Sequence, residues 1–353
     1  MDFVYGGAQN GLEFLKGITD EPVAIYTDND LDGFVAGLML DRSLEKATTQ
    51  RKISFLMHSP KMVSSLLPQI REEGIKKVIF SDLCLQQYLP DVAEIARLCP
   101  ILILDHHDYK QDLNTNRITF LKTHSEICAA LIAYELATQM PEGISIKSLD
   151  WLVAAACIAD YGTEGNIPFL RAVESRYRIK NRAETNAQAF SSDLGQIATV
   201  LSDAMLYFHK DRPRFYEYLK NVKRRKDALH LGRFAKEVQS EIERVKQYFE
   251  THHEVKDGLL YAEVSISFPV TSAISTDLSE KYPGRTLIIV ASKEDGVKIS
   301  ARRQDGEVNL PELLRKAVSD IPGATAGGHR KAAGASITEK DIKKFHDQLL
   351  ELV

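Results

Sequence analysis

Short apolar runs alternate with helix-like stretches along the first 160 residues of the chain. The runs are almost continuously apolar, as is typical of parallel strands that are covered on both faces. Helix-like stretches at 34–46, 60–73 and 89–98 separate them. This alternation predicts an α/β fold with a doubly wound, mainly parallel sheet. The predicted strands are 23–27 (VAIYT), 52–57 (KISFLM), 77–83 (KVIFSDL) and 101–107 (ILILDHH).

Two strongly apolar helices and then a polar helical region follow. The helices, at 125–138 and 145–159, are apolar on nearly every face, so we expect both to be buried. From 164 to 256 the chain is polar and helical, with no convincing strand pattern. Within this region, apolar residues recur three or four positions apart, which predicts one long amphipathic helix that connects two domains. These residues are Phe234, Val238, Ile242, Val245 and Phe249.

Strand patterns return after 257 and predict a smaller α/β domain with a mixed sheet. The KEDG sequence at 293–296 is typical of a hairpin turn. We expect a glycine-rich loop at 323–334, between a helix at 310–319 and a terminal helix at 339–351. The predicted strands are 259–267, 286–292 and 297–303. The predicted organisation is a first domain over 1–165, a helical connector over 166–256 and a second domain over 257–353.

Composition and charge narrow the class of protein. The hydrophobic fraction of 44% suffices for two cores, and the net charge of −4 argues against a protein that holds nucleic acid only by a basic surface. The first residues, MDFVYGGAQNG, lack the basic and apolar regions of a signal peptide, and no apolar run has the length of a membrane span. We therefore expect a cytoplasmic protein with no membrane partner.

Three aspartates, Asp28, Asp30 and Asp32, stand at alternate positions where the first predicted strand ends. A calcium loop of the EF-hand type would need a glutamate at its twelfth position, which is Met39, and a helix before the loop. The aspartates could instead cap the following helix. Three carboxylates within five residues repel one another, however, and this crowding favours a cation site.

Acidic residues also occur at the ends of other predicted strands and of one predicted helix. Asp82 ends the third strand, Asp105, His106 and His107 end the fourth, and Asp160 closes the second apolar helix. The carboxyl ends of strands in an open α/β sheet share one edge, so these side chains are expected to converge there. Carboxylates with one or two imidazoles suit Mn²⁺ or Mg²⁺, and two such ions can activate water for attack on a phosphoryl group. For the paired histidines alone, a surface or helix-cap role is the alternative.

These motifs, in this order and spacing, resemble those of the DHH phosphoesterase family. DNDLDG, the aspartate of SD at Asp82, DHH at 105–107 and the aspartate of AD at Asp160 resemble its motifs I to IV. AGGHRKAAGASI at 326–337 is similar to the Gly-Gly-Gly-His-x-x-Ala-Ala-Gly signature of the DHH-associated domain, and VKISARR resembles the Arg-bearing substrate strand of that domain.

The resemblance implies a site with two Mn²⁺ ions, with Mg²⁺ as the alternative. Which two of the three motif I aspartates bind metal directly stays open; Asp30 and Asp32 are favoured, with Asp28 close behind. Asp105 is expected to orient His106, and His107 to donate to a phosphate oxygen or to the leaving group. The implied metal ligands are Asp28, Asp30, Asp32, Asp82, His106 and Asp160.

The resemblance also implies a substrate-binding role for the second domain. Gly327 and Gly328 permit close approach of a ligand to the backbone, and His329 and Arg302 can pair with a phosphate. A tight turn that packs on a neighbouring strand is the alternative. Ala326 replaces the first glycine of the signature, which we expect to be a mild departure.

The basic segment 210–226 has two interpretations. It could line a path for single-stranded nucleic acid by charge and base stacking, or it could be a solvated helix face. The residues in question are Phe215, Tyr216, Tyr218, Arg224 and Arg225.

The expected function is that of a Mn²⁺-dependent phosphodiesterase that shortens oligonucleotides or single strands of RNA or DNA from an end, like a nano-RNase. The alternatives are a RecJ-like processive exonuclease, a phosphatase acting on 3′-phosphoadenosine 5′-phosphate, a phosphodiesterase for linear or cyclic dinucleotides, and an inactive nucleic-acid-binding scaffold. Because every motif position is filled, the scaffold is disfavoured. The sequence leaves a homodimer, the polarity of cleavage and the choice of RNA or DNA open.

Overall fold

The chain divides into two compact units, Met1–Arg233 and Phe234–Val353. The structure is a computed structural model that describes residues 1–293 and 296–352. The three-part division predicted from the sequence stays a prediction, because compactness does not by itself define family domains. Among the described residues, no helix is both long and apolar enough to cross a membrane.

The first unit is built on a six-stranded sheet with the order β1-β6-β5-β4-β2-β3. All neighbours in this sheet are parallel except β1, which runs antiparallel to β6. This topology confirms the predicted mainly parallel sheet. The strands are β1 (Phe3–Tyr5), β2 (Val23–Asp28), β3 (Arg51–Leu56), β4 (Lys77–Ser81), β5 (Ile101–Asp105) and β6 (Ile118–Thr123).

Helices cover both faces of this sheet. Tyr26 and Phe80 point to one face and share a core with α3 and α4, whereas Ile25 and Ile79 point to the other and are equally buried. Buried residues on alternate faces explain the continuous apolar runs. The helices are α1 (Ala8–Lys16), α2 (Leu31–Ser43), α3 (Leu66–Glu72), α4 (Leu89–Leu98), α5 (Ala129–Ala137), α6 (Gly143–Ile146), α7 (Asp150–Ala159), α8 (Ile167–Arg176), α9 (Asn186–Ala189), α10 (Asp193–Tyr207), α11 (Arg212–Asn221) and α12 (Arg225–Leu229).

The second unit contains a mixed sheet with the order β11-β12-β10-β9-β8-β7. Only β8 and β9 are parallel; the other pairs are antiparallel. The predicted mixed sheet is thus confirmed. The strands are β7 (Glu254–Lys256), β8 (Leu259–Ser265), β9 (Thr286–Lys293), β10 (Gly296–Arg302), β11 (Thr325–His329) and β12 (Ala332–Ile337), and the helices are α13 (Gly232–His252), α14 (Thr271–Lys281), α15 (Leu310–Ala317) and α16 (Ile342–Glu351).

The glycine-rich segment is paired as strands, which corrects the predicted loop. β11 and β12 lie antiparallel, and β12 continues the sheet through β10. Glycine disfavours strands in isolation, but ladder hydrogen bonds and the burial of Ala333 and Ala335 outweigh this preference here. The predicted turn at 293–296 includes residues 294 and 295, which lie outside the described residues.

Two of the three aromatic residues of the basic segment, Phe215 and Tyr216, are buried in the first unit. Phe215 makes an edge contact with Phe34 at 5.0 Å between ring centroids, and Tyr216 lies 5.2 Å from Phe55. Both side chains are buried, so neither can stack on a base. The prediction that these two rings stack on single-stranded nucleic acid is therefore wrong. They alternate with charged residues because one face of α11 contacts the core.

Candidate metal centre

The sheet order brings the predicted acidic positions to one edge. Asp28 ends β2, Asp82 follows β4 and Asp105 ends β5, and these three strands are adjacent in the sheet. Parallel register aligns their carboxyl ends. Residues far apart in the sequence therefore meet at the position where ligands bind in open α/β sheets.

Seven of the predicted residues place possible ligand atoms within 4.8 Å of one another in three overlapping groups. His106 is central, because its Nε2 lies 3.3 Å from Asp82 Oδ1 and 3.6 Å from Asp160 Oδ2. The overlap of the groups describes one continuous cluster. The groups are Asp82, His106 and His107; Asp32, His106 and Asp160; and Asp28, Asp30 and Asp82.

The carboxylate of Asp82 is buried and has no hydrogen-bond partner within the part of the chain that the structure describes. Its side chain is 2% exposed, and neither carboxylate oxygen contacts a donor in the structure. Burial, followed by the charges of Asp32 and Asp30, raises the pKa of Asp82 well above its usual range. A buried unpaired carboxylate is costly, and a cation is the partner that removes this cost. The oxygen-rich donor set fits a divalent ion such as Mn²⁺ or Mg²⁺.

Two neighbouring carboxyl groups also have raised pKa values. Burial and then the charges of Asp32 and Asp30 raise the pKa of Asp160, at the end of α7, to about 8. Burial and then Asp30 raise the pKa of Asp28 to about 6. Like charges held together in a poorly hydrated place cause these shifts, and a bound cation would oppose them.

The three motif I aspartates differ in their partners. Asp32 Oδ2 and Oδ1 accept hydrogen bonds from the amides of Ala129 and Ala130, at 2.7 and 2.8 Å, so Asp32 holds the amino end of α5. Asp30 caps α2 by accepting from the amide of Gly33 at 2.8 Å. The capping alternative is therefore true of Asp30, although its carboxylate also belongs to the cluster.

The two adjacent histidines are held by different acceptors. His106 Nδ1 donates to the carbonyl of Ser125 at 2.8 Å, which leaves the lone pair of Nε2 toward Asp82. Asp105 was expected to orient His106, but the ring that it holds belongs to His107, whose Nδ1 lies 2.8 Å from Asp105 Oδ1. Asp105 Oδ1 also accepts from the backbone amide of His106 at 2.7 Å, so the orienting role that we expected of Asp105 toward His106 stays a prediction.

Asp105 is a strongly hydrogen-bonded carboxylate behind the cluster. Burial would raise its pKa, but hydrogen bonds from His107 and Tyr109 outweigh burial and lower the pKa to about 2. The pKa of His107 is raised, because its interaction with Asp105 outweighs burial. The sequence analysis did not identify Tyr109 or the Ser125 carbonyl. A backbone carbonyl has no signal in the sequence. The only signal for Tyr109 is its position two residues after the DHH motif.

The predicted substrate residues of the second unit also lie together. Arg302, Gly328 and His329 line a cavity of about 510 Å³. Arg302 donates from Nη2 to Ser272 Oγ at 2.7 Å, which fixes the guanidinium at the cavity wall. Gly327, on the same strand, has open space where a Cβ would project. The cavity offers cationic and backbone donors, a combination suited to phosphate.

Two family models match the chain. The DHH family N-terminal domain matches residues 22–158, and the DHHA1 domain matches residues 256–353. The chain belongs to the DHH family of phosphoesterases. It thus has a DHH domain and a C-terminal DHHA1 domain, as the motifs suggested. No curated protein matches its sequence.

Solved structures share the DHH fold at low sequence identity. An exonuclease RecJ bound to manganese is 14% identical, with a TM-score of 0.71 over 99% of this chain and 95% of that one. RecJ from Thermus thermophilus with Mn²⁺ is 15% identical, with a TM-score of 0.66 over 99% of this chain; the chain spans only 55% of its length. CDC45 from Entamoeba histolytica is 9% identical, with a TM-score of 0.63 over 97% of each chain. These likenesses confirm the fold.

Proposed function

We propose that this DHH-family protein is a divalent-metal-dependent phosphodiesterase that removes nucleotides from an end of short oligonucleotides or single-stranded nucleic acid. The observation that carries this proposal is Asp82, a buried carboxylate with no donor, inside a cluster of carboxylates and imidazoles. Such a cluster is suited to metal-assisted hydrolysis of a phosphate ester. The match to the DHH family supports the same class of reaction.

The proposed ligands are Asp28, Asp30, Asp82, His106 and Asp160. We place Asp28 and Asp30 ahead of Asp32, because both oxygens of Asp32 already accept amide hydrogen bonds. When bound, two Mn²⁺ or Mg²⁺ ions would polarise a phosphoryl oxygen and lower the pKa of a water nucleophile.

The side chains around the ions would bind and orient the phosphate. Asp105 keeps the proton of His107 on Nδ1, so Nε2 is the nitrogen left to meet a phosphate oxygen or the leaving oxygen. In the second unit, Arg302 and His329 would bind a terminal phosphate or nucleotide, and Lys298 adds a further cation to the same cavity.

Short oligonucleotides are the favoured substrates, as for a nano-RNase. Two of the three aromatic side chains of the basic segment, Phe215 and Tyr216, are buried and cannot stack on bases, which argues against this segment as a path for long strands. A RecJ-like exonuclease that acts on long single strands is the second candidate, favoured by the likeness to RecJ over nearly the whole of both chains. An inactive scaffold is disfavoured, because every motif carboxylate and imidazole is in place.

The test is cleavage of end-labelled RNA and DNA, from dinucleotides to long strands, with Mn²⁺ or Mg²⁺, by wild type and by Asp82→Asn. We expect the wild type to cleave the shortest substrates fastest and the variant to lose activity. Comparable cleavage of long strands would favour the exonuclease. If the wild type leaves all of these substrates intact, the proposed function is wrong.

A further inference from the structure

A chain of hydrogen bonds leads from the core to His107. The amide of Leu85 donates to the Tyr109 hydroxyl at 2.6 Å, and this hydroxyl donates to Asp105 Oδ2 at 2.7 Å. Asp105 Oδ1 lies 2.8 Å from His107 Nδ1. The direction of both hydrogen bonds of the hydroxyl is fixed, because the amide can only donate and the carboxylate can only accept, so the phenol accepts from Leu85 and donates to Asp105.

Tyr109 is a fixed component of this chain. Its side chain is buried, and its ring lies 4.9 Å from that of Phe120 between centroids. Burial, followed by the charge of Asp105, raises the pKa of the Tyr109 phenol, so it stays protonated and keeps its donor. Packing fixes the position of the ring, and the position of the hydroxyl relative to Asp105 is therefore fixed as well.

The Tyr109 hydroxyl is the side-chain donor to Oδ2 among the groups that orient the Asp105 carboxylate. Oδ2 accepts from Tyr109 and from the amide of Cys84 at 3.0 Å, whereas Oδ1 accepts from the ring of His107 and from the amides of His106 and His107, at 2.7 and 3.0 Å. Without the hydroxyl, Oδ2 loses the shorter of its two hydrogen bonds, and a tilt of the carboxylate about its bonds to the amides would shift the acceptor of the His107 ring.

We propose that Tyr109 is a positioning residue: its hydroxyl fixes the carboxylate of Asp105 and thereby the ring of His107. This inference rests on the proposed function, in which His107 meets the scissile phosphate. The Tyr109 hydroxyl hydrogen-bonds to Leu85 and Asp105, and neither is a proposed metal ligand. The rival role is purely structural: the bond to Leu85 would merely hold the loop that follows Asp82.

The test compares Tyr109→Phe with Tyr26→Phe. Phenylalanine retains the ring and its packing in both cases. Tyr26 belongs to the same core cluster as Tyr109, but its hydroxyl has no hydrogen-bond partner among residues 1–293 and 296–352, so Tyr26→Phe is a matched control. We expect Tyr109→Phe to lower kcat about tenfold with unchanged KM and Mn²⁺ affinity, because positioning acts on the reacting step. Tyr26→Phe is expected to change none of these.

A double-mutant cycle with His107→Ala separates the two roles. If Tyr109 acts through His107, Tyr109→Phe has no further effect on kcat once His107 is alanine. Fully additive losses, or a drop in Mn²⁺ affinity measured by calorimetry, would overturn the inference while leaving the proposed function standing.

An NMR measurement on the metal-free protein tests positioning without activity. We expect a protected Nδ1 proton on His107 in wild type and in Tyr26→Phe, and faster exchange of this proton in Tyr109→Phe. Equal exchange in all three proteins contradicts the inference. Absence of any cleavage by wild type would instead contradict the proposed function, and the exchange result would still decide whether Tyr109 holds His107.

Discussion

At the scale of single residues, Asp82 combines two properties that normally exclude each other. It is buried, and both of its carboxylate oxygens lack donors. Its backbone has a φ of 63°, a left-handed conformation that is uncommon for residues other than glycine. Strain together with an unpaired buried charge is kept in proteins where function requires it. A cation between Asp82 and its neighbours would account for the unpaired carboxylate.

Replacement of Asp82 should therefore separate metal binding from folding. We expect Asp82→Asn to be at least as stable as wild type without metal, because it removes an ionisable group that cannot be solvated. We also expect Mn²⁺ to raise the melting temperature of wild type but not of the variant. Calorimetric melting with and without Mn²⁺ measures both effects. Asp347→Asn, an exposed position, is the control. Equal stabilisation of wild type and Asp82→Asn by Mn²⁺ would contradict the proposed ligand role.

The paired glycines of the second unit differ in what a side chain would meet. A Cβ at Gly328 would lie 2.5 Å from the carbonyl oxygen of Ala332, and its φ is 130°. A Cβ at Gly327 would meet nothing within 4 Å. We expect Gly328→Ala to cost about 2 kcal/mol in the free energy of unfolding. Gly327→Ala should leave stability unchanged but raise KM, because it fills space next to the proposed phosphate cavity. Denaturant melts and steady-state kinetics test the pair; equal stability losses would refute the distinction.

At the scale of elements, the connection from β2 to α2 places the motif I aspartates at the metal centre. Gly33 lies so close to β2 that an added Cβ would be 2.3 Å from the carbonyl oxygen of Asp28. The hydroxyl of Thr27 donates to the carbonyl of Gly33 at 2.7 Å and closes the connection from the other side. The first turn of α2 therefore packs directly against the residue that ends the strand.

Gly33→Ala should consequently disturb the metal centre through the backbone. We expect a loss of about 2 kcal/mol or more in the free energy of unfolding, since the clash is with backbone and not with a flexible side chain. Mn²⁺ affinity should fall as well, because Asp28 must move. Gly232→Ala, at the start of α13, meets no atom within 4 Å and is the control. A variant as stable as wild type would show that this connection has more room than the structure indicates.

At the scale of the whole molecule, the acidic cluster links stability to pH and metal. The pKa values of about 6 for Asp28 and about 8 for Asp160 exceed the unfolded value of about 3.9. Between about pH 4 and pH 8 the folded protein therefore binds more protons than the unfolded chain, and these groups make the free energy of unfolding fall as the pH rises. Metal binding requires the deprotonated carboxylates, so it opposes this trend.

We therefore expect Mn²⁺ to stabilise the protein more at pH 8 than at pH 5. Melting temperatures at both pH values, with EDTA or with Mn²⁺, provide the measurement. Asp160→Asn should flatten the pH dependence of the metal-free protein, because its amide does not titrate. A stabilisation by Mn²⁺ that is independent of pH would count against the raised pKa values and against this ligand set.

The sequence alone was enough to locate the sheet and the candidate ligands. Continuous apolar runs predicted β2 to β5, because strands buried on both faces need apolar residues on both faces. It was not enough for β1 and β6: β1 has three residues, too few for a periodic pattern, and β6 includes Lys122, whose burial no local pattern indicates. The glycines of β11 concealed a strand that exists through its pairing with β12.

The sequence by itself determined which residue types end the strands, and hence that carboxylates and imidazoles would share one edge of the sheet. Only the tertiary structure decided their individual partners. Asp105 binds the imidazole ring of His107 and not that of His106, Asp32 binds amides nearly a hundred residues away, and among the described residues the Asp82 carboxylate has no donor. Periodicity is a local property of the chain. A hydrogen bond between distant residues depends instead on how helices and strands pack against one another, and a local sequence pattern does not specify that packing.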